Sequence, residues 1–272
     1  MIRLAAMTSI FPDWTLDEAI LALQRHGYDG LEARVEWKHK AGIGAELSSQ
    51  QRADVRGKVE GAGLHICAVA SGVQVAEESE SKRAQHMKDL HAYIDLAADL
   101  GAGIVRTFGG PRPRDRELKY VIDYMVEAYQ GTMAHATDRG VTVLLETHDE
   151  WCHSSEVRAV VERVNDPCLR VLWDIIHPQR LMETPKETFA SIGHLTCHVH
   201  GHDGVYPEGG KHVRITGLGE GVFDHATPLR MLDEAGFEGY FSVEVIHASG
   251  SQHDADGVLR QYAQAFRKMM GR

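Results

Sequence analysis

Eight short apolar segments recur along the chain, and each is followed by a longer amphipathic segment. The apolar segments span residues 2–7, 30–35, 64–70, 104–108, 141–146, 169–174, 195–200 and 240–245. The fifth, VTVLLE, and the sixth, LRVLWD, are apolar almost throughout and end in an acidic residue. Such continuous apolar runs are typical of strands that are buried on both faces of a parallel sheet. The pattern therefore predicts eight parallel strands.

Helical periodicity fills the intervals between these strands. Two examples are TLDEAILALQRHG and ELKYVIDYMVEAYQGTMAHATDRG, whose final glycine suits the left-handed conformation that ends many helices. Dividing 272 residues among eight strand–helix units leaves about 34 residues for each, enough for a right-handed crossover of roughly 30 residues. We therefore predict an α/β fold, a single (β/α)8 TIM-barrel domain over residues 1–272. A doubly wound open sheet is the alternative, because it uses the same alternation.

Composition and charge exclude several classes of function. The chain has 29 Lys and Arg against 39 Asp and Glu, a formal net charge of -10, which opposes binding to nucleic-acid phosphates. Its apolar runs are too short to cross a membrane, and the N-terminal residues lack the apolar core of a secretion signal. Four scattered cysteines without a C-x-x-C pair predict free thiols. We expect a cytoplasmic protein without a nucleic-acid or membrane partner.

The last four predicted strands each end at a residue that can bind a metal. These residues are Glu146, Asp174, a histidine within CHVHGHD, and Glu244. The carboxyl ends of all strands meet at one face of a parallel barrel, so ligands far apart in sequence can point at one centre. Three carboxylates and an imidazole suit manganese, magnesium or cobalt better than a thiolate-rich zinc site does. The strand ends therefore predict a site for one divalent ion.

With these motifs the sequence resembles the divalent-metal sugar isomerases and epimerases that have a xylose-isomerase-like barrel, a group that includes ketose 3-epimerases and inosose-processing enzymes. The resemblance covers essentially the whole chain and depends on LLETH, WDIIH, HGHD, GLGEGVFD and FSVEV, in that order. It implies one ion, Mn2+ first and Mg2+, Co2+ or Zn2+ as alternatives. The implied ligands are Glu146, Asp174, His200 and Glu244.

The identity of the histidine ligand is open, because His198, His200 and His202 all lie on the same face of an extended strand. We choose His200 over His198 for its spacing to Asp203. The resemblance also implies that His177, the histidine of the D-x-x-H segment, contacts a substrate oxygen.

Four further residues carry weaker expectations. Arg214 is the best local match to a substrate-binding arginine that some of these epimerases carry after the seventh strand, although its spacing from His200 is longer. His148 resembles the E-x-H arrangement of dehydratase members and is a further candidate substrate contact. Arg106 and Glu32, which lie near the ends of earlier strands, either bind substrate or pair with neighbouring strands.

These residues predict an isomerase or epimerase that acts on a small ketose or keto-polyol. A bound ion would acidify the C–H beside the substrate carbonyl, and Glu146 and Glu244 would transfer the proton through an enediolate. The alternative is a dehydratase of a keto-polyol or dehydroshikimate-like acid, with His148 or His177 as the acid. A DNA-repair endonuclease relative is a third interpretation, which the negative charge opposes. The expected partner is a small sugar or polyol, and the resemblance implies a homo-oligomer.

Overall fold

Eight parallel strands close into a barrel in the computed structural model, which describes residues 1–210 and 212–272. The barrel strands are β1 (Arg3–Met7), β2 (Gly30–Arg34), β3 (His65–Gln74), β4 (Ile104–Phe108), β5 (Thr142–Glu146), β6 (Leu169–Asp174), β7 (Thr196–Gly201) and β10 (Tyr240–Val243). Each strand pairs with the next along the chain, and β10 lies between β7 and β1. A small antiparallel pair, β8 (Asp203–Val205) and β9 (Arg214–Thr216), follows β7. Closure confirms the predicted barrel and excludes the open sheet.

Helices occupy the predicted amphipathic intervals. They are α1 (Leu16–His26), α2 (Ser49–Gly61), α3 (Glu80–Leu100), α4 (Leu118–Arg139), α5 (Ser154–Val164), α6 (Ile176–Arg180), α7 (Pro185–Ile192), α8 (Ala226–Glu234) and α9 (Ala255–Met269). Capping boxes start α1, α2 and α7, where a Ser or Thr side chain and a Glu or Gln side chain each accept a backbone N–H. The predicted glycine caps are left-handed, with φ of 66° at Gly27 and 65° at Gly140. No helix among the described residues is long and apolar enough to span a membrane.

The strand side chains divide into an apolar outer set and a partly polar inner set. Alternate residues such as Val143, Leu145 and Val199 belong to the main apolar core, which also includes residues of the surrounding helices. The intervening residues point into the barrel, and towards its carboxyl end they are charged. Both sets are buried, which explains why the strands have almost no exposed positions. All four cysteines are free thiols, as the sequence predicts.

One close approach between neighbouring barrel strands requires a glycine. A Cβ atom at Gly201, the last residue of β7, would lie 2.0 Å from Cε2 and Cζ of Phe241 on β10. Phe241 itself stacks on Phe266 of α9 with ring centroids 5.3 Å apart. A side chain at position 201 would therefore disturb both the strand pair and the packing of the last helix.

We expect Gly201→Ala to lower the free energy of unfolding by about 1–3 kcal/mol, because the added methyl group overpacks a filled site. The matched control is Gly131→Ala in α4, where no atom lies within 4 Å of the new Cβ. That change removes a glycine from a helix interior and should raise stability by up to about 1 kcal/mol. Urea unfolding of metal-free protein measures both, and equal effects of the two substitutions would contradict the packing argument.

Candidate metal centre

The structure brings the four predicted metal ligands together at the carboxyl end of the barrel. Glu146 and Asp174 end β5 and β6, His200 lies on β7, and Glu244 directly follows β10. One ligand atom of each residue lies within 4.8 Å of those of the other three. All four side chains are buried, and the most accessible, Glu244, is 7% exposed.

His200 is the centre of the cluster. Its Nδ1 lies 3.0 Å from Oε1 of Glu146 and 3.1 Å from Oε2 of Glu244. Its Nε2 lies 2.9 Å from Oε1 of Glu32, on the far side of the ring. Of the histidines that the sequence left open, His198 hydrogen-bonds to Glu32 and is not one of the four clustered residues, whereas His202 faces Asp174 at 3.5 Å.

The chemistry of this donor set fits a divalent cation. Oδ2 of Asp174 and Oε2 of Glu146 are buried and have no hydrogen-bond partner among the described residues. Burial, followed by the charges of Glu244 and Glu146, raises the pKa of the Asp174 carboxyl well above its ordinary value. Buried carboxylate oxygens that lack a hydrogen bond cost free energy, which a bound cation would recover. Three carboxylates and one imidazole match the preferences of several divalent metals.

In the protein alone, the His200 imidazole supplies the opposing charge. Burial would lower the pKa of His200, but the charges of Glu32, Glu244 and Glu146 outweigh burial and raise it well above the ordinary value. Burial likewise opposes ionisation of Glu244, yet the charge and hydrogen bond of His200, together with Arg106, hold the pKa of this carboxyl below its ordinary value. Metal binding requires a neutral imidazole, so an ion would replace the proton on Nδ1.

Arg106 of β4 lies against both glutamates of the cluster. Its Nε is 3.3 Å from Oε2 of Glu146 on the neighbouring strand, and Nη2 is 3.9 Å from Oε1 of Glu244. The guanidinium packs over the Phe108 ring at 3.8 Å, and its side chain is 1% exposed. Of the two roles that the sequence left open, the structure shows pairing with the acid of the neighbouring strand.

His177 lies beside the cluster with its ring orientation fixed. Nε2 is 3.6 Å from Oδ2 of Asp174, and Arg180 donates a hydrogen bond of 3.2 Å to Nδ1. Because arginine can only donate, Nδ1 is the acceptor and the ring proton sits on Nε2. Burial, followed by the charges of His148 and His202, lowers the pKa of His177 and keeps the ring neutral. His177 therefore presents an N–H donor beside Asp174.

The ring of His148 packs between those of His177 and Phe108. Its centroid lies 4.4 Å from that of His177 and 4.6 Å from that of Phe108. Burial alone would lower the pKa of His148, but the hydrogen bond to Asp149 and the charge of Glu146 outweigh burial and raise it to about 9. With its side chain 28% exposed, His148 is the more accessible of the two imidazoles.

The structure does not bring Arg214 to the cluster. It lies exposed on β9, where its backbone pairs with Val205. Asp203, whose spacing from His200 supported the choice of that histidine, is also not one of the four clustered residues. Its carboxylate accepts hydrogen bonds from the backbone N–H groups of Gly204, Gly219 and Gly221. Asp203 therefore organises the glycine-rich loop after β9.

Comparisons with known proteins support the assignment of the fold. Residues 20–269 match a protein-family model described as xylose isomerase-like TIM barrel. No curated protein matches the chain by sequence. A solved structure of the IolI protein with a zinc atom has a TM-score of 0.85 and 16% identity over 99% of this chain and 98% of that one.

Two further structures are similar over almost their full lengths. L-ribulose 3-epimerase has a TM-score of 0.81 and 14% identity over 100% of this chain and 95% of its own. The probable 3-DHS dehydratase AsbF from Bacillus anthracis has a TM-score of 0.78 and 15% identity over 97% and 98%. At these identities, the likeness to solved structures is one of fold.

Asp174→Asn is expected to abolish stabilisation by divalent ions. An ion at 100 times its Kd raises the free energy of unfolding of the wild type by about 2.7 kcal/mol. In metal-free buffer the variant should unfold near the wild-type temperature, because Asn is a neutral isostere of a carboxyl whose ionisation its neighbours oppose. Thermal unfolding of chelator-treated protein with and without MnCl2 measures both effects.

The matched control is Asp203→Asn, a second buried aspartate at the same end of the barrel. It should lower stability, because an amide cannot accept all three backbone N–H groups. It should still leave the response to Mn2+ in place. A full response to Mn2+ in Asp174→Asn would remove Asp174 from the ligand set.

Proposed function

The chain belongs to the xylose isomerase-like TIM barrel family, and on this premise we propose that it is a divalent-metal-dependent isomerase or epimerase of a small ketose or keto-polyol. The observation that carries the proposal is the buried cluster of Glu146, Asp174, His200 and Glu244. The fold it shares with L-ribulose 3-epimerase and with the zinc-binding IolI protein supports the same chemistry.

The four cluster residues would hold one ion, with Mn2+ as the first candidate and Mg2+, Co2+ or Zn2+ as alternatives. When bound, the ion supplies Lewis acidity, which polarises a substrate carbonyl and acidifies the neighbouring C–H. The oxygen-rich donor set favours manganese or magnesium, and the imidazole also permits cobalt or zinc.

Glu146 and Glu244 are the proposed proton-transfer groups. Strands β6 and β7 separate β5 from β10 in the barrel, so the two carboxylates approach the centre from different sides. One removes a proton from the substrate carbon. Return of a proton by the other carboxylate to the opposite face gives epimerisation, and return to the adjacent carbon gives isomerisation. Arg106 contacts both carboxylates and places a positive charge beside them.

His177 and His148 are the proposed substrate contacts. The N–H at Nε2 of His177 points to the side of Asp174 and would donate to a substrate oxygen, as Arg180 fixes this tautomer. His148 is partly exposed beside His177 and would contact a second polar group. Arg214 lies on β9, outside this set, and its role stays a prediction from the sequence.

We expect wild-type protein with Mn2+ to exchange a substrate C–H for solvent deuterium across a panel of ketoses and inososes. Glu244→Gln should reduce this exchange about 100- to 10,000-fold, the range associated with loss of a general acid or base. Glu183→Gln is the control, because Glu183 is also a buried carboxylate but pairs with Ser154. Mass spectrometry or proton NMR measures the exchange. Wild-type exchange in Glu244→Gln would contradict the proposed role.

A dehydratase is the second candidate, and the observation that favours it is the partly exposed His148, which bonds to Asp149 and packs beside His177. An imidazole with a pKa of about 9 can protonate a leaving hydroxyl group, and the barrel shares its fold with a probable 3-DHS dehydratase. The mass of the product separates the two reactions. An isomer keeps the mass of the substrate, whereas loss of one water with growth of an enone absorbance assigns the dehydratase instead.

A further inference from the structure

Glu32 is a buried carboxylate that has no role in the proposed reaction. It lies on β2, is 0% exposed, and forms ion pairs only with histidines among the described residues. Its Oε1 is 2.9 Å from Nε2 of His200, and its Oε2 is 2.9 Å from Nε2 of His198. Strands β1 and β10 lie between β2 and β7, so Glu32 reaches these rings across the barrel interior.

The contact with Glu32 determines which nitrogen of His200 is free for an ion. An ionised carboxylate has no proton to donate, so Nε2 of His200 must carry the N–H. The other nitrogen, Nδ1, is the one that faces Glu146 and Glu244. When a carboxylate accepts the second N–H of a metal-binding imidazole, it fixes the tautomer and the ring plane and strengthens the bond to the metal.

His198 holds Glu32 in position for this contact. Its Nε2 donates to the second carboxylate oxygen, while its Nδ1 is buried without a hydrogen-bond partner in the part of the chain that the structure describes. Among the described residues, the ring nitrogens of His198 are therefore hydrogen-bonded through Glu32 alone. With one histidine on each oxygen, the carboxylate plane of Glu32 cannot rotate without breaking a buried hydrogen bond.

A separate metal site at this level of the barrel is a rival explanation, because Glu32, His198 and Cys67 also lie close together. However, these atoms already have hydrogen-bond partners. Oε1 of Glu32 bonds to His200, and Oε2 of Glu32 bonds to Nε2 of His198. The thiol of Cys67 donates to the carbonyl of Leu31, and burial followed by the charge of Glu32 raises the pKa of Cys67 well above its ordinary value. A protonated thiol is a poor metal ligand.

We propose that Glu32 is a positioning residue of the metal centre, which holds His200 as an Nδ1 ligand while His198 fixes Glu32. This inference rests on the proposed function, since it assumes an ion at Glu146, Asp174, His200 and Glu244. It adds to the centre a carboxylate–histidine–metal contact whose carboxylate lies on β2, a strand that carries none of the four proposed ligands.

Glu32→Gln tests the inference with little change of shape. The amide oxygen still accepts from Nε2 of His200, and the amide N–H can be accepted by Nε2 of His198 if the proton of that ring moves to its unpartnered Nδ1. The substitution therefore keeps the shape but removes the charge, and because an amide can donate as well as accept, it no longer obliges Nε2 of His200 to carry the N–H. We expect the affinity for Mn2+, measured by calorimetric titration of chelator-treated protein, to fall about 10- to 100-fold. Glu183→Gln, the control, should bind Mn2+ like the wild type.

A second measurement needs no variant. In Zn2+-loaded wild-type protein with 15N-labelled histidine, the NMR spectrum should show His200 protonated at Nε2 and unprotonated at Nδ1. The opposite tautomer would overturn the inference, as would wild-type affinity in Glu32→Gln or an equal loss in Glu183→Gln. If the wild type binds no divalent ion, the proposed function itself fails, which is a different result from the failure of Glu32 alone.

Discussion

Negative charge buried at one end of the barrel is the constraint on which the rest of the structure depends. Glu32, Glu146, Asp174 and Glu244 are at most 7% exposed, and their ion pairs among the described residues come only from Arg106 and histidines. Two like charges at 4 Å repel by about 4 kcal/mol at an effective dielectric constant of 20. Such a cluster persists because a closed barrel with an apolar outer layer holds its strands in place, while Arg106 and the histidines supply the opposing charge.

Two histidines at this end of the barrel are oriented by opposite means. Glu32 accepts a hydrogen bond from Nε2 of His200, which leaves Nδ1 facing the cluster. Arg180 donates to one nitrogen of His177, which leaves an N–H on the other side of the ring. In both rings Nε2 carries the N–H, but His200 turns Nδ1 towards the cluster whereas His177 turns Nε2 towards Asp174, because one neighbour is acidic and the other is basic.

The sequence alone predicted the barrel and the family. It also predicted that Glu146, Asp174 and Glu244 come together, because each of these acids ends an apolar run and the carboxyl ends of parallel strands meet at one face of the barrel. It could not separate His198 from His200, since alternation places both on the same face. That choice depends on Glu32, a contact across 168 positions of sequence. The position of Arg214 was equally inaccessible to sequence reasoning, because the loop around it is organised by Asp203 through backbone hydrogen bonds that leave no local pattern.

Pairing of β1 with β10 has a consequence for how the protein is made. Arg3 is the register partner of Tyr240, so a chain growing on the ribosome has no closed sheet until the last barrel strand emerges. Glu32 and Arg106 leave the ribosome well before the residues that balance their charges. Until then the partial sheet exposes strand edges, which are sites of aggregation. We therefore expect chaperone dependence to be concentrated in the interval of translation that precedes β10.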